Sequence, residues 1–210
     1  MPNPLRDSNR PFPENREAFF GRLRPLLAPS ELMKVEIAYA LAKHAHRWQE
    51  RKELDSEGHP IRYFEHLRAT ALILIDELNI HDPDMIVACL MHDSIEDTMD
   101  INAAMLEHIF GPKVARMVTM LTKNPKEGYY ERLRKHADVD TLVVKTCDRI
   151  SNLRTLGGCE EAFRNKQIRE TMEVLYPILR SPECGTNDRL NLARQLMLVE
   201  YEKNNWPVEF

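Results

Sequence analysis

Glycine is scarce in this chain, with seven in 210 residues, and a turn-dense β architecture needs more of it. The abundant Leu, Ile, Ala, Met, Glu and Arg residues favour helices instead, so the composition predicts an all-α fold. The four cysteines, Cys89, Cys147, Cys159 and Cys184, show no CxxC spacing. The first two sit in apolar runs, where a reduced thiol acts as a small hydrophobe, and a reducing cytoplasmic location is expected. No stretch approaches the ~20 apolar residues that span a bilayer. The N-terminus, MPNPLRDSNRPFPENR, has no apolar signal core, so neither membrane insertion nor export is expected. A formal net charge of −4 argues against a protein that coats nucleic acid, while local basic clusters can still grip one phosphorylated small molecule.

What the chain does have is 43% hydrophobic and 30% charged residues, enough apolar surface for a real core. Residues 1–15 carry four prolines and read as a surface arm; 16–210 read as a single domain. Apolar residues recur at helical spacing from Asn15 to about Leu27 and from Ser30 to about Lys52, with Asn15 and Ser30 as N-caps. The charged stretch Arg51 to Pro60 (RKELDSEGHP) reads as a loop or an irregular helix end. A helix follows from about Tyr63 to Leu78. Asp82-Pro83-Asp84 then starts another, with proline in the first turn, where its missing N–H is harmless. Met85 to Met91 (MIVACLM) is apolar on every side, the pattern of a helix at the centre of a bundle. Segments near 101–110 and 112–121 are split by Gly111-Pro112, and 127–136 is amphipathic. A long helix over 138–156 is ended by Gly157-Gly158. Two more, near 160–179 and 187–204, flank the Ser181-Pro182 break.

The central apolar helix runs into MHDSIEDT, which places His92, Asp93, Glu96 and Asp97 at its end. Burying uncompensated ionisable groups costs several kcal/mol, so these four must be paired, solvated in a cleft or bound to a cation. His92 with Glu96 and Asp93 with Asp97 are i, i+4 pairs on one side of a helix. An exposed helix end is the bland alternative. In VVKTCDRISNLRTL (143–156), Lys145, Asp148, Asn152 and Thr155 lie on one stripe. Asp148 is either a ligand or a salt-bridge partner of Lys145 or Arg149. In YFEHLRATALIL (63–74), His66 taken alone is a structural histidine. Taken together, His66, His92, Asp93 and Asp148 offer two imidazoles and two carboxylates, a donor set suited to a divalent ion such as Mn²⁺, with Fe²⁺ or Zn²⁺ as alternatives.

These segments, in this order, resemble the hydrolase domain of the RelA/SpoT family, which removes pyrophosphate from the alarmone ppGpp. The resemblance runs from AYALAKHAHRWQERK (38–52) through YFEH (63–66), LMHDSIEDT (90–98) and IFGPKVARMVTMLTK (109–123) to VVKTCDRISNLRTL (143–156). It implies an HD-domain helical bundle in which His66, His92, Asp93 and Asp148 hold one Mn²⁺ and Glu96 and Asp97 act in catalysis. It further implies that Arg51 and Lys52 grip the nucleotide, that Asn152 contacts substrate, and that Arg154 and Thr155 lie near its ribose and phosphates. Lys145 is a further candidate for offsetting phosphate charge. Two features depart from the family pattern: ELDSEGHPIR is inserted between Lys52 and Tyr63, and Trp48 stands where glycine is usual in the HxGQxRK block. About fifty residues follow the last motif, so the resemblance implies a stand-alone hydrolase without the synthetase domain. Competing readings are hydrolysis of another phosphorylated nucleotide, such as ppApp or NADPH, and a non-catalytic nucleotide sensor.

Overall fold

A computed structural model describes residues 15–54, 59–181 and 187–205. The proline-rich arm before Asn15, and Cys184, lie outside the described residues. The order of elements is α1 (Arg16–Leu23), α2 (Pro29–Ala45), β1 (Glu50–Leu54), β2 (Pro60–Arg62), α3 (Tyr63–Leu72), α4 (Pro83–Met91), α5 (Ser94–Asp97), α6 (Ala103–Phe110), α7 (Pro112–Leu121), α8 (Tyr129–His136), α9 (Val139–Thr155), α10 (Glu161–Glu170), α11 (Tyr176–Leu179) and α12 (Asp188–Asn205). The mostly helical bundle expected from the composition is present. Single π-turns extend α3 over Ile73–Glu77 and join α10 to α11 over Thr171–Leu175.

α4 is the hub. Every residue from Met85 to Met91 is buried, and the helix packs against α2, α3, α7 and α9. Its start follows the sequence: the Asp82 carboxylate accepts from the N–H groups of Asp84 and Met85 at 2.8 and 3.2 Å, with Pro83 in the first turn. α9 lies beside it and is buried from Thr141 to Ser151 without interruption. Asn15 caps α1 as expected, its side chain accepting from Ala18 N–H at 2.8 Å. Gly111, at φ +89°, turns the chain between α6 and α7 in a region that side chains with a Cβ avoid. Cys89 and Cys147 are buried free thiols.

Two local expectations are corrected. Ser30 does not cap α2: the helix begins one residue earlier at Pro29, and the Glu31 carboxylate accepts the Ala28 N–H at 2.8 Å. Nor does that helix continue to Lys52. It ends at Ala45, and 50–54 (ERKEL) form a strand paired antiparallel with Pro60–Arg62, in the register Glu50↔Arg62 and Leu54↔Pro60. Within the stretch read as a loop or helix end, 51–54 and Pro60 are therefore strand. ERKEL has good helix propensity, but inter-strand hydrogen bonding overrides so weak a bias. The hairpin rests against the turn after α9 and leads straight into α3, so its first strand forms a wall of the cavity described next. Among the described residues, no helix is long and apolar enough to cross a membrane.

Candidate metal centre and its cavity

His66 comes from the first turn of α3, His92 from the residue ending α4, and Asp148 from the middle of α9. All three are buried, and one ligand atom from each lies within 4.8 Å of the others. Asp148 Oδ1 is 3.2 Å from His66 Nε2 and 3.5 Å from His92 Nε2. Asp93 Oδ2 is 3.0 Å from His92 Nε2 and 3.9 Å from His66 Nε2. The outer ring atoms are held from behind: His92 Nδ1 sits 2.9 Å from the Cys89 carbonyl oxygen, and His66 Nδ1 sits 2.9 Å from Ser151 Oγ. A carbonyl only accepts, so His92 Nδ1 carries the hydrogen and, in the neutral ring, Nε2 keeps its lone pair. That Nε2 is buried and makes no well-aligned hydrogen bond, although Asp93 Oδ2 lies 3.0 Å away. An orphaned imidazole nitrogen facing two carboxylates fits a divalent cation, with a backing hydrogen bond of the kind metal-ligating histidines make.

The electrostatics of the bare site agree. Burial disfavours a charged His92, but the carboxylates of Asp93 and Asp148 outweigh it and push its pKa up to about 10. Burial, with Arg51 adding, lowers His66 to about 4. Asp93 and Asp148 stay ionised against burial, Asp93 through His92 and Asp148 through Lys145 and His92. The pocket thus concentrates two negative carboxylates around the histidine nitrogens, and a bound cation would take over the stabilising role of the His92 proton.

α4 does not run on through HDSIED. It stops at Met91, and a new single turn, α5, starts after Asp93. The expectation that His92 and Glu96 project together from one helix is therefore corrected: the Glu96 carboxylate turns to accept the Lys123 N–H at 2.8 Å. Asp97 N–H still bonds the Asp93 carbonyl at 2.9 Å, so that pair remains one turn apart. Asp97 is exposed at the cavity mouth. Loss of solvation on its inner side, then the charges of Asp93 and Glu96, raise its pKa to about 6.

Glu96, Asp97, His66, Asp93, Asp148, Arg51, Lys52, Lys145 and Asn152 all line one cavity of about 280 Å³. His92 lies just behind that wall. Within this group, Lys145 Nζ donates to Asp148 Oδ2 at 2.7 Å and is itself buried, so it serves the ligand carboxylate. Asn152 Nδ2 donates to Asp148 Oδ1 at 2.7 Å, and its oxygen accepts from Arg51 at 3.1 Å. Thr155 does not line the cavity; its hydroxyl accepts from the same Arg51 guanidinium at 3.0 Å. Arg154 is not brought to the site. Its guanidinium pairs with Glu77 at 2.5 and 2.7 Å and with Glu200 at 3.1 Å, tying α9 to the turn after α3 and to α12.

The fold brings in further residues beyond the expected site set. The Tyr63 hydroxyl donates to Asp93 Oδ2 at 2.6 Å, and its ring stacks on His46 with centroids 5.1 Å apart. His46 Nδ1 meets Gln49 Oε1 at 2.6 Å, and Gln49 Nε2 donates to the Asp97 carbonyl at 2.7 Å, so the HxxQ segment braces both acidic groups. Lys123, Arg149, Leu156, Phe163 and Gln167 complete the wall. Tyr63 opens the YFEH motif and was legible there; Phe163 and Gln167 lie in α10 outside every motif and carried no signal.

A family model described as "HD domain" matches residues 38–182. The chain is 36% identical over 182 residues to the GTP pyrophosphokinase rsh of Brucella melitensis biotype 1, an alignment covering 80% of this chain and 23% of that protein. It is 33% identical over 168 residues to the bifunctional (p)ppGpp synthase/hydrolase SpoT of Escherichia coli K12, covering 74% of this chain and 23% of the relative. The chain thus spans under a quarter of the length of these curated relatives. Among solved structures it is similar to a metazoan ortholog of SpoT that hydrolyzes ppGpp, with a TM-score of 0.63 and 27% identity, covering 80% of this chain and 94% of that one.

Proposed function

This chain belongs to the HD-domain family, and from that premise we propose that it hydrolyses guanosine 3′,5′-bis(diphosphate), or its 5′-triphosphate form, to GDP or GTP and pyrophosphate. The observation that carries the reading is the orphaned, buried Nε2 of His92 converging with His66 and Asp148 at the base of a cavity walled by Arg51, Lys52, Lys123 and Lys145. Basic side chains at that wall can hold the phosphates of such a substrate, and a solved relative described as hydrolyzing ppGpp shares the fold. His66, His92, Asp93 and Asp148 would hold the metal ion, and the nitrogen–oxygen donor set suits Mn²⁺. Bound there, a divalent ion supplies Lewis acidity and neutralises charge that builds on phosphoryl oxygens.

The chain's own residues do the rest. Asp97, titrating near 6, is ionised at neutral pH yet basic enough to accept a proton from an attacking water, a contribution of about 10²–10⁴-fold for a well-placed general base. Glu96 is held by the Lys123 N–H and keeps a second carboxylate oxygen for orienting that water. Arg51, fixed by Asn152 and Thr155, presents its positive charge to the phosphates beside the metal ligands. Lys145 neutralises Asp148 so that one more negative group, the substrate's, can approach.

The test is direct. Purified protein with Mn²⁺ should release pyrophosphate and GDP from ppGpp in equal amounts, and Asp97→Ala should abolish turnover while leaving Mn²⁺ binding in place. His92→Ala should lose the thermal stabilisation that Mn²⁺ confers, about 2.7 kcal/mol at a hundredfold excess over Kd. No release from ppGpp by the metal-loaded protein sinks the substrate assignment; a fully active His92→Ala protein sinks the metal site.

A further inference from the structure

α10 is unusual among the helices: between Glu161 and Glu170 it contains no buried residue, yet Phe163 and Gln167 both line the cavity. They are one turn apart and so share a face of the helix. Phe163 is half-buried against the core, and the Lys52 ammonium lies 4.2 Å from its ring centre, which joins α10 to the β-hairpin across the cavity mouth. Gln167 is held differently. Arg149, buried behind the site, donates to both the side-chain oxygen and the backbone carbonyl of Gln167, and also to Glu170 at 3.1 Å.

Arginine has no acceptor, so the atom of Gln167 it contacts is the amide oxygen, and the group left over is the amide NH₂, a pure donor. Toward His66 and Asp148 the wall carries charged groups of both signs, among them Arg51 and Lys123, which are suited to phosphate. The α10 end offers an aromatic ring, the aliphatic Leu156 and a fixed neutral donor, the equipment for a heterocycle.

We infer that Phe163 and Gln167 form the base-reading subsite, with the Gln167 amide donating to the six-position oxygen of a 6-oxopurine. This rests on the nucleotide reading above and deepens it. Guanine and hypoxanthine carry that oxygen; adenine carries an amine there, which would set donor against donor. Phe163 supplies an apolar contact for the base, one that tolerates any base and therefore sets affinity, leaving choice between purines to Gln167.

Binding of GDP, IDP and ADP to the Mn²⁺-loaded protein, measured by calorimetry, tests this without requiring turnover. GDP and IDP should bind alike and about tenfold tighter than ADP. Gln167→Glu keeps the pairing with Arg149 but replaces the donor by an acceptor, and should erase or invert that ratio. Phe163→Leu, which keeps the bulk of the wall, should weaken all three about equally, and Phe163→Tyr should restore them. Equal affinity of the wild-type protein for GDP and ADP, or a Gln167→Glu ratio unchanged from wild type, overturns the inference even if ppGpp is cleaved. Discrimination that depends on Gln167 upholds it even if ppGpp is not.

Discussion

The Tyr63 hydroxyl donates a 2.6 Å hydrogen bond to Asp93 Oδ2, so the first residue of α3 fixes a carboxylate at the end of α4, and with it the acidic side of the metal centre. Burial, then the Asp93 charge, push the Tyr63 pKa well above the ordinary tyrosine value, so the hydroxyl stays a donor at every working pH. Tyr63→Phe keeps the ring stacked on His46 and removes this bond together with the hydroxyl's interaction with Asp97. Partners that orient a metal ligand are worth about 10–100-fold in metal affinity or activity, and a Mn²⁺ titration of Tyr63→Phe should show a weakening of that size.

Asp97 ties activity to pH. Its carboxyl must be ionised to accept a proton, so kcat/KM should rise with pH through about 6 and level off above it, and Asp97→Asn should lose both the activity and that acidic limb. Stability runs the other way. A carboxyl with a raised folded-state pKa opposes folding once the pH exceeds its unfolded value, because the unfolded chain ionises more readily. Asp97→Asn should therefore be more stable than wild type at pH 7 and equal to it near pH 3, where the group is neutral in both states. Denaturant melts at the two pH values check the sign.

Lys145 and Asp148 form a buried pair beside two histidines. Removing one partner of such a pair strands the other charge, at a cost of about 3–5 kcal/mol. Lys145→Met should destabilise the metal-free protein by that order in urea unfolding, and Mn²⁺ should recover part of the loss by compensating Asp148. A stability within about 0.5 kcal/mol of wild type, the range of ordinary surface substitutions, would mean the pair does not brace the site.

Arg154 belongs to the frame. Arg154→Ala should lower stability by about 1–3 kcal/mol, the cost of depriving a part-buried carboxylate of its charged partner, while KM for the nucleotide stays unchanged. Arg51→Ala should do the reverse, raising KM steeply. Kinetics beside thermal melts of the two variants separate the roles.

Much of this was legible one residue at a time. The Asp82-Pro83 start of α4, the Gly111 turn and the apolar run Met85–Met91 all depend on neighbours within a few positions, and they lie where spacing and capping chemistry put them. His66, His92, Asp93 and Asp148 stood out by their chemistry as a candidate donor set, since ionisable groups in apolar helices need partners, and the family resemblance is what implied that they hold a metal. The sequence could not say that ERKEL would pair as a strand with Pro60–Arg62, because the hydrogen bonds that outweigh its helix propensity come from a second strand and not from the segment itself.

By itself, then, the sequence determined the helical architecture and the donor atoms available to a metal, both consequences of short-range spacing. Only the tertiary structure decided which charges serve the site. Arg154 reaches Glu77 across 77 positions, Arg51 reaches Asn152 across 101, and Arg149 reaches Gln167 from a different helix. A guanidinium is equally able to hold a phosphate or a carboxylate, and packing alone settles which one lies within its reach.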